Sequence, residues 1–177
     1  MKILIVSATC SETRPLAKKF TVLKKQDDFF TRFSYDNHLP DILITGIGMT
    51  SMAYHLGKVL SCNNYDFVLN LGIAGAFNRN LKIGNVVNVS SDIIAELGAE
   101  NGKGFLKFNE LGIGKTATQR TLWKVSNSCE INNSLIQKLR RVKGITVNTV
   151  HGEENAISKI TNLFNPDVES MEGAAFL

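Results

Sequence analysis

The sequence predicts an α/β protein with three layers (α/β/α), in which helices cover both faces of a central mixed β-sheet. Short apolar runs rich in β-branched residues recur along the chain, and several of them end in glycine turns. Segments with apolar residues at helical spacing lie between these runs, and such alternation is typical of this class. The 177 residues, 44% of them hydrophobic, predict a single domain over residues 1–177 with enough apolar side chain for a core.

The first half of the chain contains three apolar runs that predict buried strands, at residues 2–7, 41–45 and 67–71. A continuous apolar run suits a strand that is covered on both faces. Pro15 is expected to open a helix at its first turn. Aromatic residues alternate loosely with polar ones over 29–35, which predicts a more exposed strand.

The second of these strands ends in a tight turn, Gly46-Ile47-Gly48, and the third is followed by Gly72 and Gly75. Thr50 or Ser51 is expected to cap the helix that follows the first of these turns. The second half of the chain predicts strands over 86–94, 146–150 and 167–170, helices over 133–141, 153–164 and from Glu172 onward, and a long loop over 98–124.

Composition excludes several function classes. The net charge of +4 and the pI near 9.0 come from scattered Lys and Arg residues, whereas a nucleic-acid-binding surface requires a concentrated stripe. Three distant cysteines favour reduced thiols and a cytoplasmic location over disulfides. The N-terminal apolar run is too short for a signal peptide, and no stretch is long enough to cross a membrane.

Two glycine-containing segments and the three histidines are candidates for binding a cofactor or a metal ion. The string from Gly112 to Thr116 resembles a P-loop but has Asn109 where that motif requires glycine, and the 46–48 turn lacks the third glycine of a dinucleotide fingerprint. No histidine has metal-ligand spacing to a second ligand. We therefore expect no metal and no cofactor. His151, at a predicted strand end, is a better candidate for substrate contact than the mid-helix His55.

Two carboxylates also fall at predicted strand ends. Ligands of parallel and mixed sheets bind at the carboxyl ends of the strands, and Glu12 and Glu172 both fall there. Each is explained equally well as an acid near a helix N-terminus, where the helix dipole favours negative charge. Together they could instead hold a sugar and a water molecule for hydrolysis.

The segment Asp167-Val-Glu-Ser-Met-Glu-Gly-Ala-Ala-Phe176 resembles the signature of nucleosidases and nucleoside phosphorylases that cleave purine ribosides. The opening segment ending in Glu12 and the turns at 46–48 and 72–75 fit the same superfamily. The resemblance implies its phosphorylase/hydrolase-like fold, with Met171 and Glu172 holding the ribose and Glu12 activating the attacking water. It also implies assembly as a homo-oligomer, either a dimer or a larger one.

Within that superfamily the string Val147-Asn-Thr-Val-His-Gly152 resembles futalosine hydrolases, which release hypoxanthine from futalosine in an alternative menaquinone pathway. The resemblance then implies a small nucleoside substrate, with the base near residues 152–156. Glu12 and Glu172 are the implied catalytic residues. The implied substrate-binding residues are Thr9, Ile47, Ile73, Ala74, His151, Asn155, Ala156 and Met171.

One departure concerns the family's general acid, an aspartate one strand beyond the Met-Glu motif. The sequence given ends at Leu177. We therefore expect the fold to lack its last strand and helix and the activity to be impaired, because general acid catalysis contributes on the order of 10²- to 10⁴-fold. The alternatives are a methylthioadenosine/S-adenosylhomocysteine nucleosidase, a purine nucleoside phosphorylase, and a nucleoside-binding fragment without catalysis.

Overall fold

In the computed structural model the chain divides into two units, residues 1–73 with Phe176 and residues 74–175 with Leu177. The structure describes residues 1–102, 104–112, 123–127, 129 and 131–177. Each unit combines helices with a mixed sheet, so the predicted α/β class is confirmed. A single domain over the whole chain stays a prediction.

The first unit is a five-stranded sheet with two helices. Its elements are β1 (Lys2–Ser7), α1 (Cys10–Ala17), β2 (Thr21–Lys25), β3 (Phe30–Ser34), β4 (Leu39–Ile44), α2 (Met49–Cys62) and β5 (Phe67–Asn70). The strand order is β2-β3-β4-β1-β5, with β1 parallel to both β4 and β5. The carboxyl ends of these three parallel strands therefore lie at one edge of the sheet.

The apolar composition of β1 follows from its place between two strands. Leu4 and Val6 are fully buried, and Ile5 packs with Phe33 and Ile42 in the core of this unit. A strand with neighbours on both sides and covered faces has no position for a polar side chain without a partner. The strands predicted at 2–7, 41–45 and 67–71 are confirmed to within two residues, although the residues of β5 are half-buried rather than buried.

Three local predictions in this unit were wrong. Helix α1 begins at Cys10, because Glu12 accepts a hydrogen bond from the Thr9 backbone and closes a capping box there, so Pro15 lies inside the helix. Helix α2 begins after Gly48, whose φ of +99° favours glycine, and neither Thr50 nor Ser51 caps it. Strand β3 is buried at Phe30 and Phe33 because it lies between β2 and β4, and β2 is the exposed edge strand.

The second unit contains a second five-stranded sheet and a separate hairpin. Its described elements are β6 (Gly75–Ala76), β7 (Val87–Ile93), β8 (Gly98–Asn101), β9 (Gly104–Lys107), a 3₁₀ turn (Phe108–Glu110), β10 (Lys124–Ser126), α3 (Ser134–Gln137), β11 (Arg140–Thr146), α4 (Glu154–Phe164), β12 (Val168–Ser170) and α5 (Gly173–Phe176). The strand order is β10-β7-β11-β12-β6, with β7, β11 and β12 parallel. The loops after β11 and β12 therefore leave the same edge of this sheet.

Three predictions in this unit were also wrong. Part of the expected loop over 98–124 forms the β8–β9 hairpin, and residues 113–122, which include most of the P-loop-like string, lie outside the described residues. The expected helix over 133–141 ends at Gln137, and the strand expected at 146–150 is instead β11, which ends at Thr146. Parallel pairing with β7 and β12, which flank β11 on both sides, decides this, and Val142 and Ile145 of β11 are buried there.

No helix among the described residues is long and apolar enough to cross a membrane.

Candidate active site

Glu12 stands at the carboxyl edge of the first unit's sheet, in the first turn of α1. One carboxylate oxygen, Oε2, accepts hydrogen bonds from the Ser7 hydroxyl at 2.8 Å, the Thr9 backbone N–H at 2.7 Å and the Thr9 hydroxyl at 2.9 Å. The other oxygen, Oε1, accepts the Ile73 backbone N–H at 3.2 Å. These donors come from the ends of β1 and β5, so the fold of this unit fixes the carboxylate in one orientation.

The charge state of Glu12 follows from these contacts. Burial raises the pKa of the Glu12 carboxyl, but the hydrogen bonds from Ser7, Thr9 and Ile73 outweigh it and hold the pKa below its ordinary value. The side chain is half-buried, so it keeps access to solvent. Glu12 is therefore an oriented, ionised carboxylate at neutral pH, which is more than a helix cap requires.

The Glu12 side chain lies close to the backbone at Gly72. A Cβ atom built there would stand 3.2 Å from Glu12 Oε1, which is tighter than ordinary contact. Ile73 and Ile47, which the sequence assigns to substrate binding, are 83% and 61% exposed at the ends of β5 and β4. The structure joins Thr9, Glu12 and Ile73 through hydrogen bonds and leaves the Ile47 side chain exposed beside the 46–48 turn.

In the second unit, Met171 and Glu172 form the turn between β12 and α5. Both side chains are half-buried. Pairing of β12 with β11 continues past the strand ends, since the Val147 N–H donates to the Ser170 carbonyl at 3.0 Å. The turn therefore leaves the sheet beside the segment that leads to His151, and the two predicted substrate-binding segments of this unit share one edge.

His151 is held by a buried carboxylate that the sequence analysis did not single out. Glu169, only 4% exposed, accepts the His151 backbone N–H at 3.0 Å and lies 2.8 Å from His151 Nδ1. The two groups share one proton in this contact, and with the carboxylate as acceptor that proton is on Nδ1. The ring is thereby fixed in orientation, and its edge packs near Phe77. The strand Val168–Ser170 reads Val-Glu-Ser, so its sequence alone gives no signal that Glu169 is buried.

The predicted base-binding residues Asn155 and Ala156 lie in the first turn of α4. Their backbone N–H groups both donate to the Glu153 carboxylate, at 2.9 Å each, and these bonds lower the pKa of Glu153. Glu153 is thus the N-cap of α4, a role that a shorter side chain usually takes. What these two positions offer a ligand is therefore the exposed Asn155 amide side chain and the Ala156 methyl group.

A second buried acid, Asp92 on β7, supports the turn after Glu172. Asp92 is 1% exposed and accepts the Thr146 hydroxyl at 2.8 Å, while that hydroxyl accepts the Ala174 backbone N–H at 2.7 Å. Burial raises the pKa of Asp92 to about 6. Asp92 does not stand out in the sequence, because β7 reads VNVSSDI and mixes polar with apolar side chains.

Among the described residues, no group of three His, Cys, Asp or Glu side chains is arranged to hold a metal ion. The three cysteines are unpaired and exposed.

Comparison with known proteins identifies the family. Residues 2–177 match the profile of the Phosphorylase superfamily. The chain belongs to the phosphorylase superfamily. This match spans both Glu12 and the Met171-Glu172 turn, so the superfamily resemblance read from those segments is confirmed.

Curated relatives within the phosphorylase superfamily carry futalosine-related names. The chain is 28% identical to the aminodeoxyfutalosine nucleosidase of Campylobacter jejuni over 182 residues, which covers 99% of this chain and 77% of that protein. It is 27% identical to the futalosine hydrolase of Thermus thermophilus over 140 residues, covering 76% of this chain and 59% of the relative.

Solved structures of the superfamily share the fold. The 5'-methylthioadenosine/S-adenosyl homocysteine nucleosidase of Campylobacter jejuni matches with a TM-score of 0.78 at 23% identity, over 99% of this chain and 77% of that chain. The futalosine hydrolase of Helicobacter pylori matches with a TM-score of 0.78 at 17% identity, over 99% and 76%. At these identities the likeness establishes the phosphorylase/hydrolase-like fold.

Proposed function

We propose that this protein hydrolyses the N-ribosidic bond of futalosine, releasing hypoxanthine and dehypoxanthinyl futalosine in menaquinone biosynthesis. The observation that carries the proposal is Glu12, an ionised carboxylate oriented by donors from Ser7, Thr9 and Ile73. The curated relatives named futalosine hydrolase and aminodeoxyfutalosine nucleosidase support the choice of substrate.

The chemistry that Glu12 performs follows from its pKa. Breaking the ribosidic bond leaves positive charge on the sugar, as in glycoside hydrolysis. A carboxylate with a lowered pKa is a weak base, but a water that has begun to bond to a cationic sugar carbon is a strong acid. Glu12 therefore orients the water, stabilises the cationic sugar and accepts the proton late. In the net reaction, hydroxide from water joins the anomeric carbon and a proton joins the purine.

Glu172 and Met171 supply the ribose contacts in this proposal. A carboxylate accepts hydrogen bonds from two adjacent hydroxyl groups of a ribose and opposes the positive charge that develops on the ring. The methionine side chain offers an adaptable apolar surface for the sugar. Their half-buried positions at a strand end suit both roles.

The base and its surroundings are assigned to the remaining positions. His151, with Nδ1 committed to Glu169, presents Nε2 as the atom for a polar edge of the base. In the same unit, the Asn155 amide adds a second polar group and the Ala156 methyl group adds apolar surface. In the first unit, the exposed side chains of Ile47 and Ile73 provide apolar surface near Glu12. Thr9 orients the Glu12 carboxylate, and Ala74 directly follows Ile73 in the segment after β5.

A methylthioadenosine/S-adenosylhomocysteine nucleosidase is the second candidate, favoured by the fold shared with the Campylobacter jejuni enzyme. The two candidates differ in the base released and in the 5' substituent. Purine release from futalosine, aminofutalosine, methylthioadenosine and inosine, measured by chromatography, distinguishes them. We expect futalosine or aminofutalosine to give the highest kcat/KM, and a higher value for methylthioadenosine would contradict the proposal.

Adding inorganic phosphate to the same assay separates hydrolysis from phosphorolysis. A hydrolase releases base at a rate that does not depend on phosphate, whereas a phosphorylase requires it. Binding of futalosine by calorimetry without any purine release would instead indicate a nucleoside-binding protein. Homo-oligomeric assembly and a cytoplasmic location stay predictions, the former to be measured by light scattering.

A further inference from the structure

The first turn of α5, directly after Glu172, is held by two hydroxyl groups from the sheet of the second unit. The Gly173 N–H donates to the Ser170 hydroxyl at 3.1 Å, and the Ala174 N–H donates to the Thr146 hydroxyl at 2.7 Å. The first amides of a helix have no partner within the helix. Here two side chains from neighbouring parallel strands provide the partners, so capping this helix does not require the Glu172 carboxylate.

The Thr146 hydroxyl is itself fixed by Asp92. The Thr146 hydroxyl donates to Asp92 Oδ1, with 2.8 Å between the two oxygens. A lone pair of the same hydroxyl therefore accepts the Ala174 N–H. Thr146 is fully buried and Asp92 is 1% exposed. A buried hydroxyl whose donor and acceptor sides are both used has one orientation, which makes the chain from Ala174 through Thr146 to Asp92 a rigid connection.

Two glycines accommodate the same carboxylate. A Cβ atom built on Gly173 would overlap Asp92 Oδ2, and one on Gly144 would stand 2.5 Å from it. Asp92 therefore lies against the backbone of β11 and against the backbone that follows Glu172. Position 173 therefore requires glycine, because any larger residue would overlap the Asp92 carboxylate.

We propose that Asp92 and Thr146 are positioning residues for Glu172 in the N-ribosidic hydrolysis proposed above, on which this inference rests. They anchor the backbone within two residues of Glu172 to strands β7 and β11. The carboxylate thus reaches the ribose hydroxyls in one geometry. Because this geometry matters most when charge develops on the sugar, its loss lowers kcat more than it raises KM.

The test replaces Thr146 by valine, which keeps the shape and removes the hydroxyl, and by serine, which restores the hydroxyl. A matched control is Tyr65→Phe in the first unit, which also removes a hydroxyl that donates to a buried acid, Asp41, at 2.8 Å. We expect Thr146→Val to lower kcat for futalosine by about tenfold or more, since one lost positioning contact has effects of that order. Thr146→Ser should keep kcat within about threefold of the unaltered protein, and Tyr65→Phe should leave kcat unchanged while lowering thermal stability.

A second measurement does not depend on activity. Hydrogen exchange of the Ala174 amide, followed by NMR, should be slow in the unaltered protein and in Thr146→Ser and faster in Thr146→Val. An unprotected Ala174 amide in the unaltered protein overturns the inference, even where Thr146→Val fails to fold. Purine release by Thr146→Val with unchanged kcat also overturns it. Absence of purine release from the unaltered protein is the failure of the proposed function, and the exchange measurement then still tests the anchoring.

Discussion

Glu12 in the first unit and Asp92 in the second are both carboxylates at or near a strand end, yet their pKa values move in opposite directions. Burial raises the pKa of both, but Glu12 is half-buried and receives four hydrogen bonds, so its pKa falls. Asp92 is almost fully buried with fewer donors, chiefly the Thr146 hydroxyl and the Ile93 backbone, so its pKa rises to about 6. The balance of donors against burial therefore distinguishes an acid suited to chemistry from an acid suited to support.

The largest expected effect comes from neutralising Glu12. Glu12→Gln should lower kcat for purine release by about 10²- to 10⁴-fold, because the amide neither accepts the water proton nor opposes a cationic sugar. The matched control is Glu110→Gln, because Glu110 also closes a capping box, accepting the Lys107 N–H at 2.9 Å. If both changes have equal small effects, Glu12 is only a helix cap.

The pH dependence of stability isolates Asp92. Burial raises its pKa from 3.8 to about 6, so the folded state holds this proton more tightly than the unfolded chain. The resulting stabilisation is complete below about pH 3.8 and is lost as the pH rises through about 6, a change of about 3 kcal/mol for a shift of about two units. Urea unfolding should show this loss between about pH 4 and pH 7.5 in the unaltered protein.

Asp92→Asn is the matched variant for this measurement, because it has nearly the same shape and does not titrate. The other carboxyl groups contribute equally to both proteins, so the difference between their pH profiles belongs to Asp92. Parallel profiles would show that the Asp92 carboxyl titrates near its ordinary pKa in the folded protein.

A smaller effect is expected at His151. His151→Ala should raise KM for futalosine by about tenfold, the value of about one hydrogen bond to the base. The control is His55→Ala, since His55 stacks on Phe29 in the first unit and has no proposed ligand role. Equal KM values in the two variants would show that His151 does not bind the substrate.

The smallest expected effect concerns the space beside Glu12. Gly72→Ala places a methyl group 3.2 Å from Glu12 Oε1, which should shift the carboxylate slightly and lower kcat by about three- to tenfold. Gly57→Ala on α2, where no atom lies within 4 Å of the new methyl group, should leave kcat unchanged and stabilise the helix by up to about 1 kcal/mol. Unchanged kcat in Gly72→Ala would show that this glycine serves the turn alone.

Part of the candidate site was predictable from the sequence, because its residues lie in short, contiguous segments. The buried strand 2–7 followed by Glu12, and the Met171-Glu172 segment after β12, follow from local apolar pattern and motif. Glu169 and Asp92 were not singled out, since their partners, His151 and Thr146, are 18 and 54 positions away in the chain. Neither the burial of these acids nor the groups that bond to them can be read from the local sequence, because both depend on which strands become neighbours.

By itself, the sequence determined the α/β class, half of the described strands and the superfamily, because apolar periodicity and contiguous motifs are local properties. Only the tertiary structure decided that β11 covers Arg140–Thr146, where the sequence predicts a helix up to residue 141 and a strand from residue 146, and that Gly173 lies against Asp92. Both depend on which strands become neighbours. Pairing of β11 between β7 and β12 stabilises the extended conformation of residues 140–146, whose local sequence pattern does not by itself predict a strand.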